Sequence, residues 1–399
     1  MNTPLAFRTQ VAIFGNTNAG KSTLFNQLTG QNRMIVSSQP GTTTDPVTKA
    51  WELLPYGPVA LTDTAGLGDA SQIGKERIAK TNQVLDRTDF ALYAADIQAF
   101  DDAAYKACAQ QFSQKGISHL LVFTKCDQAR EQIQKLRLAY PNAAFVASSD
   151  PGSIENLKQK LVQSLSALKP DEDTMVGDLL PEGSSVIMVV PIDSEAPKGR
   201  LILPQVQFLR DCLDHGIKTT VVRDTELDDT LASFPAPALV VTDSQAFKKV
   251  AAIVPEHLML TSFSMLMAKM KGDLDALLRG CDAIDHLKNG DKILMAEACT
   301  HNSSHEDIGR VKIPRLLEKY TGKHFIFDTY VHHDFPENIT DYSLVIHCGG
   351  CMISSRSMNH RIHFCTENGV PITNYGVVLA YANGILPRCR RIFERRIDL

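Results

Sequence analysis

The sequence predicts an α/β protein in three successive units, each built on a mainly parallel sheet covered by helices. Three observations carry that prediction. Short apolar runs alternate with longer stretches of helical periodicity, as expected when each strand crosses over to the next through a helix. A polar, proline-bearing, aperiodic segment, Lys169 to Gly183, interrupts the alternation and reads as a linker. Among 399 residues, 44% are hydrophobic and 22% charged, enough apolar material for two to three cores of ordinary size.

The elements follow in order. In residues 1–168, Val11–Phe14, Ala60–Thr62, Phe90–Ala94, Leu120–Phe123 and Ala144–Ala147 read as buried strands. Lys21–Leu28, Asp101–Lys115 and Ile154–Leu168 read as helices between or after them. Past the linker at 169–183, residues 184–280 form the second unit. Its strands are Val186–Val190, Thr219–Val222 and Ala238–Thr242, and its first helix is Leu203–His215. Met259 to Gly280 reads as one helical stretch, whose methionines (Met259, Met265, Met267, Met270) suit a core or a self-association surface. In the third unit, 281–399, Ile293–Met295, Phe325–Phe327 and Leu344–Ile346 are strands, and Asp307–Tyr320 and Ser355–Asn368 are helices.

Composition excludes several classes. A formal net charge of −4 argues against nucleic acid as the main partner. No apolar run is long enough for a membrane span, and Met1–Gln10 lacks a signal-peptide pattern, so a cytoplasmic address is expected. Nine cysteines, an odd number in a large chain, do not read as a disulfide framework. Cys108, Cys126, Cys212, Cys281 and Cys389 stand singly and read as small buried hydrophobes.

Five loops at the N-terminus carry nucleotide chemistry. Gly15-Asn16-Thr17-Asn18-Ala19-Gly20-Lys21-Ser22, between a strand and a helix, matches the G-x-x-x-x-G-K-S phosphate loop. Its backbone N–H groups wrap phosphates, Lys21 neutralises them, and Ser22 ligates Mg²⁺. Asp63-Thr64-Ala65-Gly66 places an Asp to hold Mg²⁺ and a Gly N–H to sense the γ-phosphate. The hydroxyl-rich Gly41-Thr42-Thr43-Thr44-Asp45 is suited to closing over the metal, with Thr43 its ligand. Thr124-Lys125-Cys126-Asp127 directs Asp127 at the guanine N1–H and N2–H₂ donors, which adenine lacks, and Ser148 offers a backbone N–H to the guanine oxygen. The nucleotide set is therefore Gly15, Asn16, Asn18, Ala19, Gly20, Lys21, Ser22, Thr23, Thr124, Lys125, Asp127 and Ser148. Lys21, Thr43, Asp63 and Gly66 are assigned to hydrolysis.

In this order and spacing, residues 9–168 resemble the small GTPases of the TrmE/Era-like class. The resemblance implies an N-terminal P-loop GTPase domain with a mainly parallel sheet, followed by the two smaller α/β domains. It implies a GTP/GDP and Mg²⁺ site, with Asn18 in the position relatives use to ligate K⁺. Two positions depart from the pattern. Thr124 replaces the usual Asn of the guanine-reading loop, and Leu67 stands where many GTPases have a water-orienting Gln, so slow intrinsic turnover is expected.

The C-terminal unit carries a second kind of chemistry. Cys299-Thr300-His301 is followed, after 45 intervening residues, by His347-Cys348-Gly349-Gly350-Cys351. Three thiolates and two imidazoles suit zinc as Cys₃His, or an iron–sulfur cluster held by three thiolates with one iron left for a weaker ligand. Spacing alone leaves both open. Both motifs follow predicted strands, where open α/β sheets gather their sites.

Over its full length the chain resembles the FeFe-hydrogenase maturation GTPases of the HydF type. Those proteins join a G domain (1–168 here), a dimerisation domain (184–280) and a cluster domain (281–399) with a C-x-H…H-C-x-x-C pattern. The resemblance implies a 4Fe–4S cluster on Cys299, Cys348 and Cys351, with His301, His347 or Glu306 as fourth or exchangeable ligand. It implies a homodimer or higher homo-oligomer that receives a di-iron precursor from radical-SAM maturases and delivers it to the apo FeFe-hydrogenase. The competing reading is a ribosome- or tRNA-associated GTPase with a structural zinc domain.

Overall fold

The computed structural model describes residues 3–30, 46–65, 81–168, 174–192, 199, 201–234, 236–298, 308–331, 334–336 and 338–394. The chain divides into two compact units, Met1–Asp171 and Glu172–Leu399.

The first unit holds a six-stranded sheet in the order β2-β3-β1-β4-β5-β6. Its strands are β1 (Thr9–Phe14), β2 (Val47–Leu53), β3 (Gly57–Asp63), β4 (Phe90–Asp96), β5 (Ser118–Thr124) and β6 (Ala144–Phe145). All neighbours run parallel except β2 and β3. Val11 to Phe14 and Ala91 to Ala94 are buried on both faces, which is why these strands read as unbroken apolar runs. The antiparallel β2 is an edge strand with mostly exposed and half-buried residues, so its sequence carries no apolar run to mark it. The helices are α1 (Lys21–Leu28), α2 (Asp102–Gln114), α3 (Arg130–Ala139) and α4 (Pro151–Ser166). Asp101 caps α2 by accepting from Ala104 N–H, and Asp150 caps α4 ahead of Pro151, a start signal on both counts.

The second unit contains two four-stranded, all-parallel sheets, β10-β9-β7-β8 and β12-β11-β13-β14. The first comprises β7 (Ser185–Val189), β8 (Lys218–Val222), β9 (Leu239–Thr242) and β10 (Leu260–Ser262), with α5 (Leu203–Asp214), α6 (Leu227–Ser233) and α7 (Phe247–Ile253). Next come α8 (Phe263–Lys271) and α9 (Leu274–Cys281). The stretch expected as one helix from Met259 to Gly280 is thus a short strand and two helices. Ser262 caps α8, extended backbone at Gly272 ends it, and Asp273 caps α9 through Ala276 N–H. Met265 and Met267 are core residues.

The second sheet comprises β11 (Lys292–Glu297), β12 (Ile326–Val331), β13 (Leu344–His347) and β14 (Ile372–Asn374). Its helices are α10 (Ile313–Thr321), entered through a π-turn at Ile308–Lys312, then α11 (Ser355–Glu367), α12 (Tyr375–Ala382) and α13 (Leu386–Arg390). One apolar core draws on both sheets, joining Ile187, Val189, Val240 and Phe247 to Ile293, Met295, Leu344 and Ile346. Two buried cations reinforce the junction. Arg388 of α13 donates to the carbonyls of Ala251 in the last turn of α7 and of Val254, Pro255 and Leu258 beyond it, and Lys271 at the end of α8 donates to carbonyls of the loop after β13.

The packing of α9 on β14 leaves no room for a side chain at Gly280, where a Cβ would stand 1.9 Å from the Ile372 carbonyl oxygen. Gly280→Ala should therefore destabilise the second unit by about 3 kcal/mol, the upper range for overpacking, despite alanine's better helix propensity. Chemical denaturation followed by circular dichroism reads this; an unchanged midpoint would show that the contact is not as close as described.

Candidate functional site

The phosphate loop grows directly out of β1. Gly15 has φ +141°, and a Cβ there would meet the Ala94 carbonyl oxygen at 2.1 Å, so only glycine lets the loop turn against β4. Asn18 (φ +64°) and Gly20 (φ +79°) are left-handed, which curls the backbone before α1 begins at Lys21. Lys21 is buried, and its ammonium donates to the carbonyls of Gly15 (3.0 Å) and Asn16 (2.8 Å). Burial pushes it down to about 8, with Asp63 opposing. Asp63 ends β3, its carboxyl raised by burial against the Ser22 hydrogen bond and the Lys21 charge.

Ser22 Oγ donates to Asp63 Oδ2 at 2.6 Å, so two of the three expected Mg²⁺ ligands already touch. Asp63 Oδ1 is buried without a close hydrogen-bond partner among the described residues. An orphaned carboxylate oxygen beside a serine hydroxyl and a lysine is a donor set that fits a hard divalent cation. Thr43, Gly66 and Leu67 lie outside the described residues.

Thr124, the departure from the usual asparagine, is buried at the end of β5 and donates to the carbonyls of Ala19 (2.8 Å) and Ala95 (3.2 Å). The hydroxyl thereby ties the base-reading loop to the phosphate loop. Lys125 (φ +55°) pairs with Asp96 at 2.6 Å, which fixes its stem along the loop. Asp127 is exposed, with Ser149 Oγ 3.4 Å from Oδ2, and Ser148 accepts from Gln27 Nε2 through its carbonyl. These loops all leave the carboxyl ends of their strands on one side of the sheet.

The cysteine motifs follow the same rule in the second unit. Cys348 comes directly after β13, and its Sγ accepts from Ala298 N–H (3.1 Å) and Gly350 N–H (3.4 Å). Ala298 follows β11 and is the residue before Cys299. Burial pushes the Cys348 thiol up to about 11, while those two N–H bonds favour the thiolate. Gly350, at φ +63°, makes the turn between Cys348 and Cys351. Cys299, His301, His305 and Glu306 lie outside the described residues, as do His332 and His333. Among the described residues, no group of three or more His, Cys, Asp or Glu side chains is placed to hold a metal ion. His360 and His363 are both exposed on α11.

His347 behaves differently from the sequence expectation. It is fully buried, with Arg361 Nη1 2.8 Å from Nε2 and the Cys348 carbonyl 2.7 Å from Nδ1. A guanidinium only donates, so Nε2 must hold the lone pair and Nδ1 the proton. Burial and Arg361 together push the imidazole down to about 3. In this arrangement Arg361 takes the lone pair that iron would need, and His347 bridges α11 to the cysteine loop.

Three residues of this site escaped sequence reasoning. Arg361 is buried over the Phe335 ring, 5.1 Å from its centroid. Lys271 donates to the carbonyls of Gly350 (3.3 Å), Cys351 (3.2 Å) and Ile353 (2.7 Å). Burial pushes its ammonium down to about 8, opposed by Cys351 and Cys348. Glu297, the last residue of β11, is buried and accepts from Arg310 (3.1 Å) and Tyr375 (3.3 Å). The one signal available beforehand was a lysine at the end of a methionine-rich helix.

Two outcomes follow. Thr124→Ala removes the tie to Ala19 and should weaken GDP binding by about tenfold, the equivalent of one hydrogen bond, while Thr124→Ser retains it; calorimetric titration measures both. His347→Ala removes an acceptor of the buried Arg361 and should cost about 1 to 3 kcal/mol in the metal-free protein. A residue acting solely as an iron ligand would leave that metal-free stability unchanged.

Known proteins resemble the chain in parts and by domain. A 50S ribosome-binding GTPase family model matches residues 10–125. The tRNA modification GTPase MnmE of Chlorobium chlorochromatii is 32% identical over 165 residues, covering 39% of this chain and 35% of that protein. GTPase Der of Kosmotoga olearia is 28% identical over 167 residues, 38% of each chain. The chain thus spans little more than a third of the length of these relatives. Aquifex aeolicus Era bound to GDP.AlF4- aligns at 17% identity and a TM-score of 0.34, over 54% of this chain and 94% of that one. The second unit is matched differently: the hydrogen maturase F dimerization domain covers 175–272 and the hydrogen maturase F tetramerization domain covers 275–392. Those two models account for more than half of the residues, and with the GTPase domain ahead of them the chain belongs to the hydrogen maturase F family.

Proposed function

We propose that this protein is a GTPase and 4Fe–4S scaffold that receives a di-iron precursor and delivers it to apo FeFe-hydrogenase during maturation of the hydrogenase active site. The observation that carries the scaffold half is the hydrogen bond from Ala298 N–H to Cys348 Sγ. It brings the residue preceding Cys299 to the sulfur that follows β13, across 50 residues of sequence.

Cys299, Cys348 and Cys351 are the proposed cluster ligands. The residues present fit such a group, because Cys348 already receives two backbone N–H bonds and buried cations flank the loop. When bound, the cluster supplies an iron with an exchangeable coordination position at which cargo can bridge and later leave. His301 and Glu306 are the candidates for that position, while His347 holds the loop. The di-iron unit is cargo, received from radical-SAM partners and handed to the hydrogenase.

In the G domain, Lys21 and the phosphate-loop amides hold phosphates, and Ser22, Asp63 and Thr43 hold Mg²⁺. Asp127, with Lys125 and Ser148, selects guanine. Asn18 is the proposed K⁺ ligand, and Leu67 leaves the attacking water without a side-chain base, so turnover is slow and potassium-sensitive. Hydrolysis gates partner exchange through loops ordered by γ-phosphate. The dimerization and tetramerization domains support a homo-oligomer.

Anaerobic reconstitution followed by iron, sulfide and zinc analysis tests the proposal. The parent should bind iron and sulfide, and Cys299→Ala, Cys348→Ala and Cys351→Ala should each lose the cluster and keep GTP hydrolysis. One zinc per chain in place of iron and sulfide would support the structural-zinc reading instead.

A further inference from the structure

We propose that Lys271 is a positioning residue of the cluster loop and its built-in counter-charge, a buried cation from the end of α8 that clasps the Gly350–Ile353 backbone of the loop carrying Cys348 and Cys351. The counter-charge half rests on the iron–sulfur reading above; the clasp stands without it.

The loop between the two cysteines is Gly349-Gly350, which has no side chains to anchor it. Its shape must be imposed through the backbone. Lys271 does so with an ammonium whose three N–H donors match three carbonyls of consecutive turns, at 3.3, 3.2 and 2.7 Å. Asn359 of α11 reciprocates by donating to the Lys271 carbonyl at 3.3 Å, so the end of α8 is fixed to the loop from both sides.

Burial supplies the second half of the argument. Lys271 is 2% exposed, and taking an ammonium out of water costs several kcal/mol that carbonyl dipoles alone recover incompletely. The ammonium stands 3.2 Å from the Cys351 carbonyl oxygen, inside the loop that carries both cysteines. Negative charge at the neighbouring ligand positions offsets that cost. Three thiolates around an oxidised cubane leave a net negative charge, and one-electron reduction deepens it. A fixed cation beside two ligand positions therefore favours cluster binding, and favours the reduced state more than the oxidised one. Lys271 lies within the dimerization domain match, and the cysteines within the tetramerization domain match, so the site belongs to both.

The test compares the full-length parent with Lys271→Gln, which keeps amide donors but no charge, and Lys271→Arg, which keeps charge. Lys271→Met serves if the Gln variant does not fold, with circular dichroism and GTP hydrolysis as the fold checks. On the reconstituted protein, a redox titration followed by electron paramagnetic resonance should show the Gln variant about tenfold less reduced at the parent's midpoint, about 59 mV for one electron. It should also lose iron to a chelator at least tenfold faster, and Arg should restore the potential. A Gln or Met variant with the parent's potential and iron retention overturns the counter-charge. In the metal-free protein, amide hydrogen exchange at 350–353 should quicken at least tenfold in the Met variant; unchanged exchange overturns the clasp. A parent that takes up no iron and sulfide overturns the scaffold reading and the counter-charge together, and exchange then decides the clasp alone.

Discussion

A parallel strand cannot be joined to its neighbour by a tight turn, because each connection must travel the length of the sheet through a helix. Every strand in such a sheet therefore delivers its following loop to the same edge. That constraint assembles both functional regions of this protein. The phosphate loop leaves β1, the Asp63 segment ends β3, the Thr124 segment ends β5, and all converge beyond one edge of the six-stranded sheet. In the second unit the loops after β11 and β13, adjacent parallel partners, carry the two cysteine motifs, and the Ala298–Cys348 hydrogen bond is the first contact that this adjacency permits. The crossover topology alone brings Ala298 to Cys348.

The polar chemistry of both regions is then governed by burial. At the nucleotide site a lysine and an aspartate are both withdrawn from water, and each is pushed toward its neutral form unless phosphate and a cation arrive. The cysteine region repeats the situation with Lys271 and Arg361. The cost of burying them is met partly by carbonyls and by His347.

Much of this was legible in the chain, and the boundary of legibility has a physical reason. The phosphate loop could be read because its function is local: Gly15, Gly20, Lys21 and Ser22 act within one turn and need no partner from elsewhere. The cysteine motifs were legible as residue types, since few structural roles require Cys-Gly-Gly-Cys. Partnerships across sequence were not. Lys271 meets its carbonyls some 80 residues away, and Arg361 meets His347 from the facing helix, with no spacing to announce either. The break between α8 and α9 is hard to read because apolar residues continue on both sides of it, and only the Gly272-Asp273 pair hints at a stop and a new cap. The edge strand β2 was missed for the opposite reason, having too few buried positions to show. The bond from Arg361 to His347 could not be read either, because sequence supplies an imidazole but not the arginine that meets it.

The apolar core shared by the two four-stranded sheets has a consequence for inheritance. The dimerization and tetramerization domains meet within a few residues of 272, yet Val240 and Phe247 of one sheet lie in the same core as Met295 and Ile346 of the other. Modules that share an interior cannot be exchanged one at a time, since a foreign partner would have to reproduce the mating surface residue by residue. The two segments must therefore travel through evolution as a linked pair.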